Sequence, residues 1–151
     1  MTRFLLSLDD AVDTVFAAVR NGGRGETFVP RAPAANIVDI ANALIGDRNI
    51  ALKVTGIRPG EKIHEIMVSE EEAYRTVERG NYYGILPMLP EVLGEGSWTP
   101  ALKAEYSSAD SVMTPAETLE LLRSRNLLLD DDPSADPAKQ QLGAAVKELL
   151  R

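Results

Sequence analysis

Several features that carry chemistry or targeting are missing from this chain of 151 residues, which has no cysteine and a single histidine, His64. Without cysteine there is no disulfide and no thiolate nucleophile, which is compatible with a reducing cytoplasm. One histidine excludes a multi-histidine metal site, and we predict no metal ion. We see neither an apolar run near the ~20 residues of a transmembrane helix nor a secretory leader, so we expect a cytoplasmic protein without membrane contact.

Positive charge is also scarce, because the chain has 16 lysines and arginines but 23 acidic residues, which gives a net charge of −7. A surface this acidic repels long polyanions, and we predict no nucleic-acid binding. One nucleotide diphosphate needs only a local positive pocket, which the net charge does not exclude. The hydrophobic share of 44% is ordinary for a globular protein, and the length suffices for one domain with a core.

The spacing of apolar residues predicts a small mixed α/β domain with a few short strands and four or five helices. Ser7 is typical of an N-cap for a helix that begins at Leu8 and stops at the glycines after Asn21. Asn36 is the expected cap of a second helix. The face of that helix that we expect to be buried consists of Ile37, Ile40, Ala41 and Leu44.

Strands are predicted over residues 26–30, 51–57 and 82–86. Ser69 and Glu72 form a capping-box pattern, which predicts a helix that ends near Gly80. Residues 87–111 are irregular, and we expect an ordered surface loop in which Trp98 is a packing anchor. Residues 114–117 have the pattern of a further helix start, with a threonine cap and a proline in the first turn.

The end of the chain differs in character from the rest. We predict a domain over residues 1–128, an acidic, proline-containing linker over 129–137 and an amphipathic helix over 138–151. The apolar stripe of that last helix must be buried either on this domain or on a partner, so a homo-oligomer is possible.

Arg58, Pro59, Gly60 and Glu61 form the most informative turn of the chain, between the expected strand at 51–57 and a polar segment compatible with a helix. Pro59 fixes its own φ and Gly60 permits a sharp turn, which places a guanidinium and a carboxylate close together. The guanidinium can bind a phosphate through two parallel hydrogen bonds, and the carboxylate can accept hydrogen bonds from sugar hydroxyls. The alternative is a plain solvated turn.

Four runs, at residues 1–4, 56–65, 82–87 and 105–108, together resemble the C-terminal part of bacterial polysaccharide-biosynthesis enzymes. That family comprises UDP-N-acetylglucosamine 4,6-dehydratases and related dehydratase/epimerases, which are extended short-chain dehydrogenases. The resemblance extends to about Leu128. It implies that this chain is the substrate-binding half of such an enzyme.

The resemblance also implies roles for four residues within the matched runs. Arg3 and Arg58 correspond to the arginines with which the family clamps the nucleotide diphosphate, and Glu61 to an acidic position that meets the ribose. Thr2 would add a hydroxyl contact. The alternatives without a binding role are that Arg3 is frayed at the chain end and that Glu61 only favours the start of a helix.

The cofactor and catalytic motifs of such enzymes are not found in this chain. The glycines at 22–25 follow a helix and lack the spacing of a dinucleotide fingerprint, and no tyrosine is followed four residues later by lysine. The resemblance places both motifs upstream, so NAD(P) is expected only in the complete enzyme, and we predict no turnover by this chain alone. His64 is expected to be structural, partly buried and bonded to backbone.

Three alternatives for the function stay open. The chain is the UDP-sugar recognition half of a dehydratase or 4-epimerase, a standalone subunit that pairs with a separate cofactor-binding chain, or a non-catalytic interaction module. These residues do not decide whether the complete enzyme catalyses dehydration or epimerisation, or whether its cofactor is NAD or NADP.

Overall fold

The fold is a small mixed α/β arrangement, as expected. The computed structural model describes residues 1–93 and 96–128; the predicted linker at 129–137 and helix at 138–151 lie outside the described residues. The strands are β1 (Thr2–Phe4), β2 (Thr27–Pro30), β3 (Ala34–Asn36), β4 (Ile66–Val68), β5 (Thr76–Arg79), β6 (Tyr82–Ile85) and β7 (Tyr106–Ser107). The helices are α1 (Leu8–Asn21), α2 (Ile37–Ile45), α3 (Glu70–Ala73), α4 (Pro90–Leu93) and α5 (Pro115–Ser124).

The strands pair in three antiparallel groups, β1 with β3, β4 with β7, and β2–β6–β5 as a three-stranded sheet. In the first group Arg3 lies opposite Ala35, which places the start of the chain beside the strand that leads into α2. A parallel bridge joins Ala34 to Val112. The N-terminal strand, β3 and the segment before α5 therefore meet in one region.

The core lies between the three-stranded sheet and the β4–β7 pair. Val29, Val68 and Ile85 are buried at its centre, and Met67, Tyr83, Leu102 and Tyr106 pack around them. Short strands with one apolar face cannot be stable alone, so this shared cluster holds the three-stranded sheet and the β4–β7 pair together.

Three helix starts follow the sequence prediction closely. Ser7 caps α1 and Thr114 caps α5, each in a reciprocal capping box with an acidic residue three positions on, and Asn36 accepts a hydrogen bond from the amide of Val38 at α2. Gly46 ends α2 with a φ of 56°, a value that glycine adopts without strain. These local signals were sufficient because a cap is made within one turn of chain.

The apolar face of α1 is left exposed in the part of the chain that the structure describes. None of its 14 residues is buried, and Leu8, Val15 and Val19 are 81, 63 and 78% exposed. The expected burial of the α2 face is likewise only partial, because Ile37 is exposed and the other three residues of that face are half-buried. Helical spacing predicted both helices correctly but did not decide what covers them.

The predicted strand at residues 51–57 is wrong. These residues have irregular structure and all are exposed, with Val54 89% exposed. The apolar alternation that suggested a strand has no neighbouring strand to pair with in the described part of the chain. The segment after Lys62 is also not helical, since it bends and enters β4.

The helix predicted from Ser69 to near Gly80 is wrong beyond its first turn. The capping box of Ser69 and Glu72 is present, but α3 ends at Ala73 and the chain continues as β5. Pairing of β5 with β6 outweighs the local helical tendency, because it buries Val77. The strands predicted at 26–30 and 82–86 are confirmed, each slightly shorter than expected.

The loop at 87–111 contains the short α4 and β7. Trp98, expected to be a packing anchor, is 38% exposed, and its indole N–H donates to the carbonyl of Tyr74 at 3.1 Å. Among the residues described, no helix combines the length and apolar character needed to cross a bilayer.

Candidate functional site

The Arg58 turn is closed by its own backbone and by Glu61. The amide of Glu61 donates to the carbonyl of Arg58 at 3.0 Å, and Glu61 Oε2 accepts from the amide of Arg58, also at 3.0 Å. Gly60 has a φ of 82°, where only glycine is unstrained. Both charged side chains are exposed, and within the described ranges no group accepts a hydrogen bond from the Arg58 guanidinium.

Arg3 lies against the chain that follows this turn. Its Nη2 donates to the carbonyl of Lys62 at 2.9 Å, and Nη1 donates to the carbonyls of Thr2 at 2.7 Å and Ile63 at 3.4 Å. Nε lies 3.4 Å from Oε1 of Glu65. The alternative of a frayed Arg3 is therefore wrong, because the residue pairs in β1 and its side chain is only 24% exposed.

Thr2 connects three distant parts of the sequence. It is buried, and its Oγ1 lies 2.8 Å from Nδ1 of His64 and 2.7 Å from Oγ of Ser108. Its amide donates to the carbonyl of Ile63 at 3.0 Å. The hydroxyl that sequence reasoning offered to a nucleotide is thus already engaged on both sides.

The expected surroundings of His64 are wrong in two respects. The residue is exposed rather than partly buried, and the partner of its Nδ1 is the hydroxyl of Thr2 rather than backbone. Its position beside Thr2 could not be read from spacing, since 62 residues separate the two.

Sequence reasoning missed Ser108 and Glu65 as parts of this region. Ser108 is fully buried and its Oγ accepts from the amide of Glu65 at 2.9 Å, while the Ser108 amide donates to the Glu65 carbonyl at 2.8 Å. Both residues lie within matched runs, at 56–65 and 105–108, which was the available signal.

Aromatic residues connect the runs at 1–4, 82–87 and 105–108. The ring of Tyr106 lies 5.0 Å from that of Phe4 and 5.3 Å from that of Tyr83, in tilted and edge-on contacts. The Tyr106 hydroxyl donates to the carbonyl of Ala32 at 3.1 Å, and burial raises the pKa of this phenol. Each of the four runs singled out in the sequence therefore contacts at least one of the others in the fold.

The glycine run at residues 22–25 does not fit a dinucleotide. Gly22 is the C-cap of α1, its amide donates to the carbonyl of Ala18 at 2.8 Å, and a Cβ there would lie 2.5 Å from that oxygen. A dinucleotide fingerprint opens a helix after a strand, whereas this run closes one. No cofactor step is therefore assigned to these residues.

An open cleft of about 310 Å³ lies elsewhere, beside the start of α1. It is lined by acidic and basic side chains, and none of the four predicted site residues contributes to it. The polar side chains that line it include Asp10, Asp13, Arg31, Asn81, Tyr82 and Arg125.

Comparison with known proteins places these observations in a family. The family model described as polysaccharide biosynthesis protein matches residues 1–87. A UDP-N-acetylglucosamine 4,6-dehydratase (inverting) from Campylobacter jejuni is 44% identical over 89 residues, which are 59% of this chain and 26% of that protein. A UDP-glucose 4-epimerase from Rickettsia bellii is 39% identical over 140 residues, covering 87% of this chain and 39% of its own.

A solved structure shares the fold. The X-ray structure of Pen from Bacillus thuringiensis superposes with a TM-score of 0.72 at 24% identity, over 85% of this chain and 39% of that one. The chain thus spans between about a quarter and two fifths of the length of the proteins it matches. Because the family model covers more than half of the 151 residues and the four runs form one region, the chain belongs to the polysaccharide biosynthesis protein family.

Proposed function

We propose that this chain is the UDP-sugar recognition part of a nucleotide-sugar 4,6-dehydratase or 4-epimerase of polysaccharide biosynthesis. The two curated relatives described above are enzymes named for UDP-sugars, one a dehydratase and the other an epimerase. The chain would hold the nucleotide, whereas the bond-breaking steps need residues that it does not contain.

The observation that carries this proposal is the contact between Arg3 and the segment after the Arg58 turn. The guanidinium of Arg3 lies on the carbonyls of Lys62 and Ile63. Lys62 follows Arg58 by four residues, so their Cα atoms are at most about 14 Å apart. This contact supports the proposal that the two arginines, which are far apart in sequence, serve one nucleotide site.

The charges of this region suit a pyrophosphate. The exposed Arg58 guanidinium is available to a phosphate, and Glu61 lies beside it as an acceptor for ribose hydroxyls. Arg3 would contribute by exchanging a backbone carbonyl or Glu65 for a phosphate oxygen. Such remote contacts orient the sugar and do not perform the chemistry, so they act through positioning.

The nicotinamide cofactor of the complete enzyme would be held by another half or a separate chain. We place that partner on the uncovered apolar face of α1, because an exposed stripe of this size is typical of an interaction surface. A homo-oligomer formed through the same face is the competing use of α1.

Titration of the purified chain with UDP, followed by calorimetry, tests the proposal. We expect saturable binding that Arg58→Ala or Arg3→Ala weakens by about 10- to 100-fold, the loss of one charge-assisted contact. Arg20→Ala is the matched control, because this arginine lies on α1 over the Phe16 ring and should leave binding unchanged. Absence of binding by a folded sample at millimolar UDP would overturn the proposal.

A non-catalytic interaction module is the second candidate, and the exposed α1 face favours it. This alternative predicts no UDP binding, together with association through α1. Sequencing in-frame DNA upstream of Met1 separates a truncated enzyme from a standalone subunit, because only the former has a glycine fingerprint and a tyrosine–lysine pair there.

A further inference from the structure

A chain of hydrogen bonds runs from the amide of Glu65 through two buried hydroxyls to the histidine ring. The Glu65 amide donates to Ser108 Oγ at 2.9 Å, the Ser108 and Thr2 hydroxyls are 2.7 Å apart, and Thr2 Oγ1 is 2.8 Å from His64 Nδ1. Ser108 is 0% exposed and Thr2 6%. The bonds thus lie inside the protein and end at its surface.

Counting hydrogens gives the direction of every bond. Ser108 Oγ already accepts from the Glu65 amide, and in the described part of the chain the only acceptor for its own hydrogen is Thr2 Oγ1. The Thr2 hydrogen must then go to His64 Nδ1, since a buried hydroxyl without an acceptor is costly. This direction requires an unprotonated Nδ1, which assigns the Nε2–H tautomer to His64.

These bonds matter because the Arg58 turn has little else to hold it. Residues 50–64 are all exposed, and they belong to no strand or helix in the described chain. The segment that leads out of the turn is attached to β1 by the bonds of Arg3, by the amide of Thr2 to Ile63, and by His64.

We propose that Thr2, Ser108 and His64 form a positioning unit that anchors residues 62–65 and thereby sets the geometry of the Arg58–Glu61 turn for a nucleotide diphosphate. The inference rests on the proposed function for its ligand, but the anchoring itself does not depend on UDP. None of the three residues touches the nucleotide in this role.

Nitrogen-15 NMR of the single histidine provides a direct test. Wild type should show an unprotonated Nδ1 and a protonated Nε2. The Glu61 amide, which closes the turn onto Arg58, should exchange slowly with solvent in wild type, and Thr2→Val should abolish this protection. Thr2→Ser keeps the hydroxyl and should show the same histidine tautomer and the same slow exchange of the Glu61 amide as wild type. A protonated Nδ1 in the wild-type neutral ring, or unchanged exchange in Thr2→Val, would overturn the positioning unit.

UDP titration then measures the effect on the proposed site. We expect Thr2→Val and His64→Ala to weaken binding by roughly 10-fold, while Thr2→Ser stays within about 2-fold of wild type. His64 is exposed, so its variant remains informative if Thr2→Val does not fold. Thr114→Ala is the control for lost stability, since it removes the α5 cap and should leave UDP affinity unchanged.

The outcomes separate the two proposals. If wild type does not bind UDP, the proposed function fails, and the tautomer and amide exchange alone decide the positioning unit. If wild type binds UDP and both Thr2→Val and His64→Ala bind it equally well, the positioning unit is wrong and the proposed function stands.

Discussion

Arg125 Nη2 lies 2.9 Å from Asp10 Oδ1, so the residue after the last described helix contacts the first turn of the first helix. Asp10 is also the third residue of α1 and completes the capping box with Ser7, whose hydroxyl donates to its Oδ2 at 2.6 Å. One carboxylate therefore serves both as a local cap and as a contact between distant helices.

Replacement of Asp10 should cost more stability than replacement of Arg125. Asp10→Ala loses the reciprocal cap and the ion pair, for which we expect a loss of about 1–2 kcal/mol in the free energy of unfolding. Arg125→Ala loses only a pair whose side chains are 35–40% exposed, worth at most about 1 kcal/mol. Urea titrations of both variants check this, with Glu120→Ala as a control for an exposed pair within one helix; equal losses would contradict it.

Acid should remove a defined part of the stability. Hydrogen bonding by Ser7 lowers the pKa of Asp10, and the backbone amide and then the hydroxyl of Thr114 lower the pKa of Glu117. A carboxyl with a lower pKa in the folded than in the unfolded chain stabilises the fold above the unfolded pKa, and this contribution is lost as the pH falls through the folded pKa. Stability should therefore decrease from roughly pH 5 to pH 3.

The double variant Ser7→Ala and Thr114→Ala isolates the part of the pH-dependent stability that comes from these two caps. It should be less stable than wild type at pH 7, and the difference should shrink as the pH falls and both carboxyls take up protons. Thermal unfolding at pH 7, 5, 4 and 3 measures this. A difference that is the same at every pH would show that the caps act without ionised partners.

Gly84 should not accept a side chain. It lies in the central strand β6, and an added Cβ would meet the carboxylate of Glu26, whose side chain is 3% exposed and pairs with Arg79 at 2.7 Å. We expect Gly84→Ala to cost about 1–3 kcal/mol, as overpacking does. Adding Gly84→Ala to Glu26→Ala should cost clearly less than in wild type, and denaturant titration of the four proteins of this cycle tests the coupling.

Charges on the α1 face should change association and not folding. Val15→Lys with Val19→Lys places two cations where the side chains are 63 and 78% exposed, so we expect unfolding free energies within about 0.5 kcal/mol of wild type. Any self-association seen by light scattering at high concentration should decrease. A large loss of stability would instead mean that the chain covers this face itself.

Local signals predicted what local interactions make. Ser7, Asn36 and Thr114 cap their helices as expected, because both partners of a cap lie within four residues. The strand expected at 51–57 and the long helix after Ser69 failed, because strand formation depends on a partner from elsewhere in the chain.

The amino-acid sequence alone determined the helix starts, the Pro59–Gly60 turn and the four runs that resemble one family, since each is a property of neighbouring residues. Only the tertiary structure decided that Arg3 lies on the segment after that turn and that Thr2 joins His64 to Ser108 across 62 and 106 residues. Those contacts come from burial and strand pairing between distant parts of the chain, and no spacing rule contains them.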